Sequence, residues 1–380
     1  MTALTTNISS PSLTLKPPFP FWKESPLAPI AEKIFSRERL TREEGYTLMK
    51  TTDLATLGLL ADWVREERVG PDVYFNTNFN LNHTNVCAIA CELCAFAKKK
   101  NEPDAYTFTV DQIEEKLKQT LGMDLVEVHI VGGLHTELPF SYFEEMLQRI
   151  KRLNPNVTIK AFTAVEIDFF SKLYKMTIDE VIERLKAAGL DMLPGGGAEI
   201  FAKRVRKLIC SPKISGERWL EVMEIVHGHN LKTNCTMLYG HVETPEERVD
   251  HMMDLRDLQD KTGGFISFVP LPFFPENTVL GEEAKGPTGW DDLRVMATAR
   301  LLLDNIPHIK GLWWMLGPKL AQTALSYGVD DVGGTLIEEK IVHAAGSTNP
   351  QGLDREEIIR LVKEAGRIPV EVNSLYQTKS

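Results

Sequence analysis

The chain has 380 residues, 43% of them hydrophobic, and a formal net charge of −10. This length suits a barrel with extensions better than one small domain, and an acidic balance without a long Lys/Arg block excludes a general nucleic-acid footprint. No stretch reaches the ~20 apolar residues of a membrane span, and Pro17, Pro18 and Pro20 stand where a secretion signal needs an apolar helix, so a cytoplasmic protein is expected.

Residues up to Phe21, rich in Ser, Thr and Pro, read as a tail or extended arm. Ile30, Ile34 and Phe35 have helical spacing within 27–40. Thr41-Arg-Glu-Glu44 has the form of a capping box opening a second helix, and a third runs over 53–67 until Gly70-Pro71 stops it. Alternation of strands and helices follows. Val73–Phe75 and Phe79–Leu81 read as the first strand. Further strands are expected over 125–131, 157–163, 190–193, 232–239, 265–271, 309–316 and 335–337. Helices are expected over 110–121, 140–153, 178–188, 219–228, 245–260, 292–304, 318–327 and 353–366. About eight strands alternating with helices predict parallel pairing and an α/β, (β/α)8 TIM-type barrel. The expected organisation is an N-terminal tail and helical cap (1–70), a barrel core (71–317) and a C-terminal part closing the barrel (318–380).

Three of the five cysteines lie in one run, Asn82-His-Thr-Asn-Val-Cys87-Ala-Ile-Ala-Cys91-Glu-Leu-Cys94. Such cysteine usage suits a reducing compartment. Three thiolates at C-x3-C-x2-C spacing on one loop suit three irons of a [4Fe–4S] cube and leave the fourth iron open. A structural zinc needs a fourth protein ligand, for which His83, Cys210 and Cys235 are the candidates, and a zinc-stabilised binding protein is the non-enzyme alternative. The C-x3-C-x2-C spacing is similar to the signature of radical S-adenosylmethionine (SAM) enzymes, in which the open iron holds the amino and carboxylate groups of SAM.

The glycine clusters fall after predicted strands, where a barrel builds its catalytic mouth. Gly132-Gly133 lets a ligand's charged head approach the backbone, or simply makes a tight turn. Pro194-Gly-Gly-Gly-Ala-Glu199 removes side chains from the mouth and adds a carboxylate. Glu199 either accepts from ribose hydroxyls or favours a helix N-terminus through the dipole. Arg206, Lys213 and Arg218 are candidates for the carboxylate of SAM, with Arg206 the preferred one. Thr163, Glu166, His135, His241, Glu243 and Arg248 lie near strand ends, and His241 joins Glu199 as a catalytic candidate. His227, His229 and His251 fall on or beside helices and read as surface or packing residues. Asn277 and Thr278 either bind substrate or shape a turn.

Several runs carry a fuller resemblance: Gly132-Gly-Leu-His135, Lys160-Ala-Phe-Thr-Ala-Val-Glu-Ile167, Leu193-Pro-Gly-Gly-Gly-Ala-Glu-Ile200, Thr236-Met-Leu-Tyr-Gly-His241-Val-Glu-Thr-Pro-Glu-Glu-Arg248 and Leu258-Gln-Asp-Lys-Thr-Gly-Gly-Phe265. From about Arg39 to about Val372 the chain resembles the radical SAM enzymes of the futalosine route to menaquinone. The run at Lys160 is most similar to the synthase branch; the sibling cyclase, which abstracts hydrogen, is the alternative. Thr136 and Arg218 depart from the family pattern. The resemblance implies a [4Fe–4S] cluster on Cys87, Cys91 and Cys94, with SAM contacted by Gly132, Gly133 and Glu199. It also implies an electron donor such as flavodoxin or ferredoxin. The implied reaction adds the 5′-deoxyadenosyl radical to 3-[(1-carboxyvinyl)oxy]benzoate, giving 6-amino-6-deoxyfutalosine, methionine and bicarbonate.

Overall fold

The computed structural model describes residues 20–335 and 338–378. Their strands are β1 (Asp72–Asn76), β2 (Asn78–Leu81), β3 (Glu127–Ile130), β4 (Thr158–Ala161), β5 (Met192–Leu193), β6 (Lys232–Tyr239), β7 (Phe265–Pro272), β8 (His308–Ile309), β9 (Asp331–Gly334) and β10 (Ile368–Glu371). Strands β2 to β8 lie side by side in chain order, and every pair is parallel. A parallel bridge from Lys310 to Asp331 carries this order on to β9. Strand β9 pairs with β1, and only Thr77 separates β1 from β2. The circuit closes into the expected barrel, with β1 and β2 as one interrupted stave.

The side-chain alternation of each strand sets what lies inside. Val128, Ile130 and Ile159 point outward into the fully buried layer beneath the helices. Their neighbours Asn78, Asn80, Glu127, His129 and Lys160 face the barrel interior and line a cavity there. Register places Asn80, His129 and Lys160 in one row and Asn78 and Glu127 in the row below. Barrel interiors of this kind are ordinarily filled with branched apolar side chains, so a polar interior marks space kept for a ligand.

The N-terminal helices form as their caps predict. Thr41 and Glu44 make the reciprocal capping box at the start of Arg42–Lys50. Leu54–Val69 is capped by Asp53 and packs on the helix Gly289–Leu302. No helix among the described residues is long and apolar enough to cross a membrane. Predicted residues 1–19 of the tail lie outside the described residues.

Three local expectations change. The apolar run 309–316 is a two-residue strand followed by the helical turn Trp313–Leu316, because periodicity alone does not separate a short buried strand from a buried helix. The strand expected at 335–337 lies earlier, at Asp331–Gly334; Leu336 and Ile337 are outside the described residues. A Cβ on Gly334 would stand 2.0 Å from the Asn78 side chain, so glycine here permits close strand packing and does not mark a turn. Two unpredicted helices, Ala164–Tyr174 and Lys203–Ile209, lie between β4 and β6.

Candidate active site

The cysteine loop leaves the C-terminal end of β2 and is held by its backbone. Cys87 N–H donates to Lys98 O (3.0 Å), Ala88 N–H to Leu134 O (2.8 Å) and Lys98 N–H to Asn85 O (2.8 Å). Asn85 clasps the returning chain, accepting from Tyr106 N–H and donating to Asp104 O. On its far side, Leu93 N–H reaches Ile209 O and Glu92 O accepts from Leu280 N–H. The thiols carry none of this load, so they remain available as ligands.

Gly132 and Gly133 make the loop's seat. A Cβ on Gly133 would lie 2.2 Å from Val86 O, and one on Gly132 would lie 2.4 Å from the His83 ring. Both positions therefore require glycine for close approach. Gly133 N–H donates to Thr84 O, and Gly132 N–H donates to the Glu166 carboxylate (3.2 Å). Glu166 also takes Thr163 N–H and Oγ1 in a capping box at the start of Ala164–Tyr174. Burial nevertheless pushes its carboxyl up to about 7.

Cys87, Cys91 and Cys94 are half-buried and line a cavity of about 420 Å³ that runs from the loop into the barrel. Two of their sulfurs accept backbone N–H bonds, Cys87 from Leu134 and Cys94 from Ala97, both at 3.4 Å. Such bonds favour thiolate sulfur and tune a cluster. Burial pushes the Cys91 thiol up to about 12, with Lys213 opposing, so metal binding there must release a proton. No three His, Cys, Asp or Glu side chains among the described residues gather around a single-ion site. Cys235 lies in the core against Ser267 O and His83 behind Gly132, so neither completes a zinc set with the loop. Three thiols spread over one preformed loop suit a cube, which places each cysteine on a different iron.

The Gly195–Gly197 turn also walls the cavity. Glu199 follows it in the left-handed region (φ 49°), buried, with its carboxylate 2.5 Å from Lys213 Nζ. Burial opposes ionisation of Glu199, but Lys213 outweighs it and the carboxyl falls below its usual range. Both line the cavity.

Arg206 corrects an expectation: it does not line the cavity. Its guanidinium donates to the carbonyls of Ala198 (2.6 Å) and Ile214 (2.5 Å), with longer contacts to Gly197 and Ile200. It braces the glycine turn from behind, and of Arg206, Lys213 and Arg218 it is Lys213 that lines the cavity. His241 is likewise displaced from the chemistry. Its ring is enclosed, with Nε2 on Leu238 O (3.0 Å) and Nδ1 beside Glu243 (2.8 Å). Since Leu238 N–H donates to Glu199 O, His241 supports the backbone of Glu199 without reaching the cavity. Glu243 also holds Arg248, and Arg218 pairs with Asp168 and Glu221. His135 accepts from Glu137 N–H. His227 bridges Thr233 and Thr262, as a packing residue would. Asn277 donates to Ala344 O, and Thr278 to Pro275 O, which closes a turn.

Sequence reading missed the floor. Glu127, His129, Lys160 and Lys310 line the cavity's far end; Glu127, His129 and Lys310 sit in or beside strands without a motif, and Lys160 opens a motif run that assigns it no role. Only their alternation with buried apolar residues hinted at an inward face.

Comparison with known proteins agrees with this layout. Residues 81–255 match the Radical SAM superfamily and residues 262–380 the CofH/MqnC C-terminal region. The chain is 49% identical over 354 residues to the aminodeoxyfutalosine synthase of Thermus thermophilus, covering 92% of this chain and 95% of that one. It is 41% identical over 313 residues to the 5-amino-6-(D-ribitylamino)uracil–L-tyrosine 4-hydroxyphenyl transferase of Methanopyrus kandleri, covering 81% and 85%. The crystal structure of methylornithine synthase (PylB) shares the fold, with a TM-score of 0.71 at 18% identity over 90% of this chain and 97% of that one. A cysteine loop seated on glycines at a barrel mouth, together with near full-length identity approaching one half, means that the chain belongs to the radical SAM superfamily and, within it, to the aminodeoxyfutalosine synthase family.

Proposed function

We propose that this protein joins the 5′-deoxyadenosyl group of SAM to 3-[(1-carboxyvinyl)oxy]benzoate, forming 6-amino-6-deoxyfutalosine with consumption of one water and release of methionine and bicarbonate. The observation that carries the reading is the 49% identity to a synthase over 92% of the chain. Cys87, Cys91 and Cys94 hold a [4Fe–4S] cluster, which when bound supplies the electron that splits SAM. The electron comes from a donor such as flavodoxin or ferredoxin, in a cytoplasmic setting where the five thiols stay free.

The chain's own residues bind, orient and shield. Gly132 and Gly133 bring bare backbone beside the cluster loop, which leaves room for the amino group of SAM. Lys213 faces the cavity and is the cation for the SAM carboxylate. Glu199, ionised beside it, accepts from the ribose hydroxyls. Arg206 and His241 are positioning residues for that same turn. Trp314, Met315 and Val342 line the mouth and keep water from a reactive radical.

The test is anaerobic reconstitution with iron and sulfide, reduction, and addition of SAM and the enolpyruvyl benzoate. A product retaining the adenosyl carbon supports the synthase. Free 5′-deoxyadenosine without adduct points to hydrogen abstraction, as in the sibling cyclase, and zinc without iron or sulfide defeats the radical reading altogether.

A further inference from the structure

The floor of the cavity carries two matched arrangements. In the first, Ser374 Oγ donates to Glu127 Oε2 (2.6 Å), and Glu127 Oε1 holds Lys160 Nζ (2.6 Å). In the second, Tyr376 O–H donates to Asp331 Oδ2 (2.7 Å), which also holds Lys310 Nζ (2.6 Å). Ser374 and Tyr376 follow β10 in the C-terminal segment, and Glu127 and Asp331 are the first residues of β3 and β9. The segment therefore plugs the barrel from its N-terminal end. Each hydroxyl anchors a carboxylate, and each carboxylate turns an ammonium group toward the cavity.

The donors and acceptors do not balance. Glu127 is supplied from below by Ser374 and Asn76, and Asp331 also accepts Gly333 N–H. The ammonium groups are less well served. Among the described residues Glu127 is the only acceptor for Lys160, and Asp331 is the only one for Lys310. An ammonium has three N–H donors; Lys310 Nζ also stands 5.4 Å from the centroid of the Tyr376 ring, and beyond these contacts each lysine keeps N–H donors without an oxygen among the described residues to accept them. The Lys160 side chain is 8% exposed and that of Lys310 14%, so bulk water serves neither well. Burial lowers the pKa of Lys160 against the opposing charge of Glu127, and the charge of Lys310 lowers it further; both lysines line the same cavity.

We infer that Lys160 and Lys310 form an anion subsite that takes a carboxylate of the substrate. Resting on the synthase reading, this assigns them the ring carboxylate of the enolpyruvyl benzoate. The double bond must meet the adenosyl carbon beside the cysteine loop, and its own carboxylate is attached there. The ring carboxylate is at the other end of the molecule, as the lysines are at the other end of the cavity. A carboxylate between two ammonium groups accepts their spare donors and relieves their repulsion.

The experiment uses the reconstituted holoenzyme and two unreactive ligands without the double bond: 3-(1-carboxyethoxy)benzoate, and 2-phenoxypropanoate, which lacks the ring carboxylate. Calorimetry on the native protein should show the first bound about ten- to a hundredfold more tightly. Lys160→Met with Glu127→Gln removes one ion pair as a unit, and Lys310→Met with Asp331→Asn removes the other. Each double variant should lose about tenfold of that preference while binding 2-phenoxypropanoate as the native protein does. Equal weakening of both ligands, or an unchanged preference, overturns the assignment. Absence of the preference in the native protein overturns it without recourse to variants. Native preference without turnover of the enolpyruvyl benzoate would instead defeat the reaction and leave the subsite standing.

Discussion

At the mouth of the cavity the reactive groups sit on a loop held by backbone bonds and seated on Gly132 and Gly133. At the floor the polar groups sit on strands and are held by other side chains, carboxylate to ammonium and hydroxyl to carboxylate. The contrast follows from what each end must do. A loop whose thiols are to serve as ligands must be fixed by other groups, and here the fixation falls mainly to peptide groups. A floor that holds charge in a buried place needs every ion matched, because an isolated buried charge is costly.

The largest effect expected is at the mouth. Cys87→Ala, Cys91→Ala or Cys94→Ala should each abolish SAM cleavage while leaving the fold intact, since the loop is held mainly by backbone–backbone bonds and loses at most one long N–H···S contact in each variant. Iron and sulfide content and 5′-deoxyadenosine release measure this; turnover retained in any of the three removes that cysteine from the ligand set.

Lys213→Met comes next. It strands the Glu199 carboxylate in a buried place, at a cost of about 3–5 kcal/mol. Adding Glu199→Gln should recover most of the stability and none of the SAM affinity. Recovery of both would make the pair purely structural.

Glu166 gives a pH signature at the seam between loop seat and strand end. Its carboxyl rises from its ordinary 4.5 to about 7. Over that window the folded protein keeps a proton that the unfolded chain has released. Its contribution is therefore present at low pH and is lost as pH climbs through about 7, about 3 kcal/mol in all. Urea unfolding at about pH 5 and about pH 8 should show a drop in the native protein that Glu166→Gln lacks. Parallel behaviour of the two proteins would rule the residue out.

Gly132→Ala drives a methyl group into the His83 ring and should cost about 1–3 kcal/mol together with part of the cluster content. His83→Ala in the same chain should restore the cluster. If it does not, the glycine serves something other than the seat.

The smallest effect belongs to the floor. Tyr376→Phe removes one donor from Asp331 and should cost about 1 kcal/mol in unfolding free energy. The mouth should be untouched, with SAM cleavage at the native rate. A change in cluster content in this variant would mean that the two ends are coupled.

The parts of this site that could be read in the chain are those written in local rules. The capping box at Thr41, the strand Lys232–Tyr239 and the helix Phe140–Leu153 follow from neighbours a few residues apart. The same holds for Cys87, Cys91 and Cys94, whose spacing constrains a single loop. Arg206 is drawn toward the site by following the glycine run with a guanidinium suited to a carboxylate, and His241 by its place at a strand end. What they touch depends on carbonyls at 197–200 and 214 and on Leu238, which no spacing rule specifies.

The amino-acid sequence by itself therefore determined the barrel, the cysteine loop and the family, because alternation, spacing and motif are properties of short segments. Only the tertiary structure decided which cation lines the cavity at its mouth, and that Lys160 and Lys310 line the same cavity at its floor. Lys160 and Lys310 lie far apart in the chain on β4 and just beyond β8, and Ser374 and Tyr376 arrive from its last residues. Strand register and barrel closure bring them together, and these are properties of the whole fold.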